Sequence, residues 1–166
     1  LIFIAIFVYL AAASEAHMVA IRAMARGVPV SSAMMTQYAT LTPDAPVEDA
    51  VQTLLRTSQN EFPVIDHAGT LAGVLGRSDL IRALKQHGPD ALVAEAMASD
   101  VPTVSYRSPL EEAFRLLQER SAPAVAVVDG AGRLVGLVTH ETVGEMLVLQ
   151  EAMPKGLQLK PWNQPA

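Results

Sequence analysis

His140-Glu141-Thr142-Val143-Gly144 begins like the zinc-protease signature H-E-x-x-H, yet Gly144 stands where the second imidazole is required. A catalytic zinc of that kind needs two histidines one helical turn apart on one face, so this pentapeptide does not supply one. The other histidines, His17, His67 and His87, are scattered along the chain and read as solvated side chains. Cysteine is absent, which removes thiol nucleophiles and any disulfide framework, and fits a reducing compartment. No G-x-S-x-G occurs. The glycines Gly69, Gly73 and Gly76, and again Gly130, Gly132 and Gly136, lack both the G-x-G-x-x-G spacing and a Walker lysine. Hairpin turns and close strand packing account for them. The expectation is a chain with no catalytic residue and no metal site.

Two polar junctions remain: Gly73-Val74-Leu75-Gly76-Arg77-Ser78-Asp79 and Gly136-Leu137-Val138-Thr139-His140-Glu141-Thr142. Each runs from an apolar, strand-like stretch into a helical one. They are equivalent positions of a duplication. Val30–Leu84 aligns with Val93–Leu147 without a gap at a constant offset of 63 positions, and about sixteen of the 55 pairs are identical. A unit this small buries too little apolar surface alone, so the two copies are expected to pack together around a shared cleft.

Within the first copy, Thr40–Thr42 reads as a short extended segment and Pro46 opens a helix with an apolar stripe at Val47, Ala50, Val51, Leu54 and Leu55. Phe62–Asp66 and Leu71–Leu75 read as a hairpin around Gly69. Leu80, Ile81 and Leu84 mark a second helix ending near Gly88-Pro89. The second copy repeats the order. Ser108-Pro109-Leu110-Glu111 predicts a capping box, Leu110, Ala113, Phe114 and Leu117 a stripe, and Ala124–Asp129 with Leu134–Val138 a hairpin. Val143, Met146 and Leu147 are expected to face the core from the last helix.

The net charge of −5 and pI of about 5.3, without a basic stripe, argue against nucleic acid as a partner. The opening LIFIAIFVYLAAA holds about thirteen apolar residues without a charge. It would span roughly 20 Å as a helix, less than the ~30 Å bilayer core. It is read as the cytoplasmic end of a transmembrane helix, with Arg22 and Arg26 as positive-inside flanks; a buried soluble helix or an amphipathic anchor is the alternative. The expected organisation is a membrane-helix end at 1–13, a linker helix at 14–29, repeats at 30–90 and 91–150, and a mobile tail at 151–166 carrying Trp162.

The strand-helix-strand-strand-helix order, the Ala-rich stripe after proline, the Pro63-Val64-Ile65-Asp66 strand, the glycine turn and the spacing from Gly73 to Asp79 resemble the CBS (cystathionine β-synthase) domain. The resemblance covers residues 28–150. It implies an α/β (α+β) fold, a tandem pair of pseudo-symmetric β-α-β-β-α repeats packed sheet to sheet, with an adenosine-type ligand such as AMP, ADP, ATP or S-adenosylmethionine between them. The family's G-h-x-[ST]-x-x-D motif places Asp on the ribose hydroxyls and Ser/Thr near sugar or phosphate at a helix N-terminus. Here the motif is split: Asp79 is kept but Gly76 replaces the hydroxyl residue, whereas Thr139 is kept but Thr142 replaces the Asp. The resemblance therefore nominates Asp79, with Arg77 for a phosphate and Ser78 as substitute hydroxyl, backbone groups near Thr40, Thr42, Phe62, Pro63 and Val64 for the base, and Thr139 with Thr142 in the second cleft. The alternatives are that Asp79 only caps the helix Leu80–Gln86 and that Thr139 is only an N-cap.

The segment up to Met35 is also similar to the junction in bacterial and archaeal site-2 proteases where the last membrane helix meets a CBS pair. This implies a cytosolic, regulatory, homodimerising module at the C-terminus of a membrane zinc metalloprotease, with the zinc ligands upstream of Leu1. A ligand-free structural dimerisation module and a regulatory domain of a membrane transporter or channel are the competing readings.

Overall fold

The computed structural model describes residues 27–152. The membrane-helix end, the linker helix up to Arg26 and all but the first two residues of the expected tail lie outside them. Among the described residues, no helix is long and apolar enough to cross a membrane.

The first half holds α1 (Val47–Thr57), β1 (Glu61–Ile65), β2 (Leu71–Gly76) and α2 (Arg77–His87). A one-turn helix α3 (Val93–Ala96) follows. The second half holds β3 (Thr103–Ser105), α4 (Leu110–Arg120), β4 (Val125–Val128), β5 (Leu134–Val138) and α5 (His140–Ala152). A single 3-10 turn at Val30–Ser32 matches α3 at the 63-residue offset.

Both hairpins are antiparallel and carry a register irregularity at equivalent places, Val64/Ile65 and Val127/Val128. Each turn is tied by an aspartate. Asp66 Oδ1 accepts from the Ala68 and Thr70 amides at 2.9 and 2.8 Å, and Asp129 Oδ1 from Ala131 and Arg133 at 2.8 and 3.0 Å. Gly69 and Gly132 supply the positive φ these turns need, at 81° and 78°. In the second half β3 adds a parallel strand beside β4. In the first half the expected extended segment is reduced to one parallel bridge between Leu41 and Val64.

The halves exchange their leading segments. Val30, Ala33 and Met34 enter the core formed by Leu110, Phe114, Leu117, Val125, Val138 and Met146 of the second half. Val93 enters the first-half core with Phe62, Val64, Leu75 and Leu80. Val30 and Val93 are fully buried there, each worth roughly 1.5–3 kcal/mol relative to exposure. Backbone bonds repeat the exchange: Met35 pairs with Leu137 and Ala98 with Val74. A third cluster of Val74, Ala124, Ala126 and Leu137 fills the seam between the two sheets.

The exchange also replaces the expected helix caps. Helices α1 and α4 begin after Pro46 and Pro109, with no side-chain cap, so the Ser108 capping box does not form. The Leu110 amide instead donates to the Val28 carbonyl at 2.8 Å, and the Val47 amide to the Ala91 carbonyl at 2.7 Å. Backbone carbonyls from the crossing segments satisfy the orphan N–H groups. Leu55 and Ile81 are exposed rather than in the core. At 100° per residue each stands a full step around the helix from the buried or half-buried Leu54 and Leu80, beyond the reach of the sheet.

Candidate functional site

A cavity of about 380 Å³ opens between the halves. One wall is the crossing segment from Met35 to Ala39, a second is Thr57–Glu61, and the third is the start of α5 at Thr139, Glu141, Thr142 and Glu145. Gln59 fixes the first two walls together. The Ala39 amide donates to its Oε1 at 2.8 Å, while its Nε2 donates to the carbonyls of Ala39 and Glu61 at 3.1 and 2.6 Å. Asn60 Nδ2 donates to Glu141 Oε2 at 3.2 Å across the halves.

Thr139 and Thr142 face this cavity but spend their polar groups on the helix start. The Thr142 amide donates to Thr139 Oγ1 at 3.2 Å, the Thr139 amide to Thr142 Oγ1 at 3.0 Å, and the Thr142 hydroxyl to the Thr139 carbonyl at 3.1 Å. This is a reciprocal cap in which a second threonine plays the part usually taken by Glu or Gln. The charged residues of the lining are all acidic: Glu61, Glu141 and Glu145. Partial burial, followed by the charge of Glu141, pushes the Glu61 carboxyl up to about 7. The same burial raises Tyr38.

Shifting this lining by 63 residues gives the mate cleft, with Gly76, Ser78, Asp79 and Arg82 on one side and Asp100, Arg120, Ser121 and Pro123 on the other. Contacts across it are direct. A Cβ placed on Gly76 would lie 3.1 Å from Pro123 Cβ and 3.3 Å from Asp79 Oδ2, so the Asp79 carboxyl lies over Gly76 at the junction of the halves. This also gives a reason for the lost hydroxyl residue, because Pro123 fills the space that a threonine side chain would take at position 76. Asp79 is the third residue of α2, which starts at Arg77, and makes no cap hydrogen bond. In place of the alternative role as a cap of the helix Leu80–Gln86, its carboxyl makes an ion pair with Arg82 at 2.9 Å. Arg120 pairs with Asp100 at 2.7 Å. Arg77 and Ser78 are exposed at the start of α2, with the Arg77 amide donating to the Asn60 carbonyl at 2.8 Å.

The nominated residues therefore fall into separate places. Arg77, Ser78 and Asp79 stand together in the first turn of α2, and Thr139 and Thr142 line the cavity at the start of α5. Thr40 and Thr42 line a third recess with Asp49, Thr53 and Arg56 on the outer side of the first half. Phe62, Pro63 and Val64 are buried, and their backbone is engaged in pairing with β2 and Leu41. Tyr38, Gln59, Asn60, Glu61 and Arg120 were not among the nominated residues. The offset could have found Arg120 once Thr57 was known to line the first cavity.

A family model for the CBS domain matches residues 30–86 and 93–145. Half of the chain is 40% identical over 83 residues to the magnesium transporter MgtE of Thermus thermophilus, covering 18% of that protein. The chain spans less than a fifth of the length of the curated relatives it matches. Among solved structures, CBSX2 in complex with AMP is 29% identical, with a TM-score of 0.64 over 76% of this chain and all of that one. The CBS domain pair of a protein in complex with 5'-methylthioadenosine and S-adenosyl-L-methionine shares the fold at 24% identity, with a TM-score of 0.67 over 74% of this chain and 98% of that one. Two matched repeats and their exchanged segments agree: the chain belongs to the CBS domain family, as a tandem CBS pair.

Proposed function

We propose that this pair is a regulatory, non-catalytic module that binds an adenine nucleotide in the Asp79 cleft. The observation that carries the reading is the position of the Asp79 carboxyl at the N-terminal turn of α2, close over Gly76, which Pro123 of the opposite half also approaches. A carboxylate there accepts from vicinal ribose hydroxyls, and the adjoining helix start favours phosphate oxygens. The AMP complex of CBSX2 supports the ligand class. Bound between the halves, a ligand shifts the module only by preferring one arrangement of them.

The module pairs with a second copy in this reading, a role favoured by the exposed Val148 and Leu149 on α5. It acts at the cytosolic face of a membrane protein. For that parent, similarity to MgtE supports a transporter; the junction resemblance of the opening segment supports a site-2-type zinc metalloprotease whose metal ligands lie upstream. An H-E-x-x-H on the upstream gene sequence decides for the protease.

Thermal unfolding of the chain with AMP, ADP, ATP and S-adenosylmethionine tests the ligand reading. At 100 times its dissociation constant a ligand stabilises by about 2.7 kcal/mol, and Asp79→Ala should abolish that shift. No shift with any of the four ligands leaves the structural dimerisation module in its place.

A further inference from the structure

Positions related by the 63-residue offset differ in charge at the starts of α2 and α5. At the start of α2, Arg82 pairs with Asp79 and Arg77 stands beside them; at the offset mate of Thr57, Arg120 pairs with Asp100. The equivalent positions of the other cleft hold Glu145 in place of Arg82, Thr57 in place of Arg120, Glu141 in place of Ser78 and Thr142 in place of Asp79, with Glu61 added. Among the described residues, no lysine or arginine lines that cavity.

Resting on the nucleotide reading, we propose that this division of charge makes the pair a one-site receptor for phosphate-bearing nucleotides, with Arg82 and Arg120 reading the phosphates and the glutamate-lined cleft refusing them. Arg120 is held by Asp100 in an exposed ion pair, which is worth little in water and cheaply exchanged; Arg82 is exposed but pairs with a partly buried Asp79 carboxyl. Ribose hydroxyls arriving at Asp79 displace Arg82, which then turns to the phosphate. A phosphate entering the opposite cleft meets Glu141 and Glu145 beside the start of α5, and like charge offsets the helix-end attraction. That cleft also lacks the carboxylate at position 142 that would take the ribose.

Calorimetric titration of the chain with ATP and with adenosine tests this. One ATP per chain is expected. Arg120→Gln and Arg82→Gln should each weaken ATP about tenfold while weakening adenosine less than twofold, because a charge-assisted bond to phosphate is lost and the nucleoside contacts remain. The ATP effect should shrink as salt rises. The double change Glu61→Gln with Glu141→Gln should admit a second, weaker ATP. Two equivalent ATP molecules on the unaltered chain, or ATP affinity indifferent to both arginines, would overturn the inference while leaving the nucleotide reading intact. Failure of both ATP and adenosine to bind removes the nucleotide reading itself, and the inference with it.

Discussion

Met97 packs onto Gly73 so closely that a Cβ on the glycine would sit 2.7 Å from its Sδ, with the Ala98 carbonyl oxygen equally near. The mate contact, Met34 on Gly136, is as short at the sulfur, but side-chain atoms alone make up its nearest neighbours. These two contacts are where each crossing segment meets the hairpin of the other half. At Gly73 a glycine is required because the crossing backbone runs directly over the strand.

The two glycines should therefore respond unequally to the same change. Gly73→Ala drives a methyl into backbone and should cost about 2–3 kcal/mol, whereas Gly136→Ala meets a flexible methionine and should cost about 1 kcal/mol. Urea denaturation of both variants measures the difference. Equal costs would mean that the Ala98 carbonyl moves aside freely.

The reciprocal threonine cap gives a second expectation. Thr139→Ala and Thr142→Ala should each lose about 1 kcal/mol of stability, with Thr139→Ser near the unaltered value because the acceptor oxygen is retained. Neither should change nucleotide affinity by more than twofold, since both sit in the cleft that refuses phosphate. Loss of binding in either would move the ligand to that cleft.

Glu61 makes stability depend on pH. Its folded pKa of about 7 lies above the ordinary 4.5, so the folded state holds the proton more tightly than the unfolded chain. The stability this gives is fully present below about pH 4.5 and lost as pH rises towards 7. Glu61→Gln removes the loss. The variant should match the unaltered chain near pH 4 and exceed it by about 1 kcal/mol at pH 8, the figure being discounted because the carboxyl is partly exposed to solvent. Denaturation curves at the two pH values check this; a variant less stable at pH 8 would contradict it.

Much of the fold could be read from the duplication, because Val47, Ala50, Leu110, Ala113, Phe114 and Leu117 follow the helical period and are buried. The exchange of segments could not. Val30 and Val93 are apolar residues that fit either core, and nothing local says which half each enters. The cap at Ser108 failed for a related reason: a carbonyl brought by the exchange, from Val28, serves the helix start. At the site, Asp79 is nominated by the resemblance to the CBS motif that runs from Gly73 to Asp79. The role of Pro123 in excluding a hydroxyl at position 76 and the glutamates of the opposite cleft were not legible, since both depend on residues about 50 and 80 positions away.

In the proposed function a nucleotide enters between the halves at Asp79. Amide chemical-shift mapping of the chain titrated with AMP tests it most directly. Shifts should gather at Gly76–Arg82 and at 100–101 and 120–123, with Gln59–Glu61 and Thr139–Glu145 little changed. Shifts gathered at Gln59–Glu61 and Thr139–Glu145, or a spectrum unmoved at saturating AMP, would contradict it.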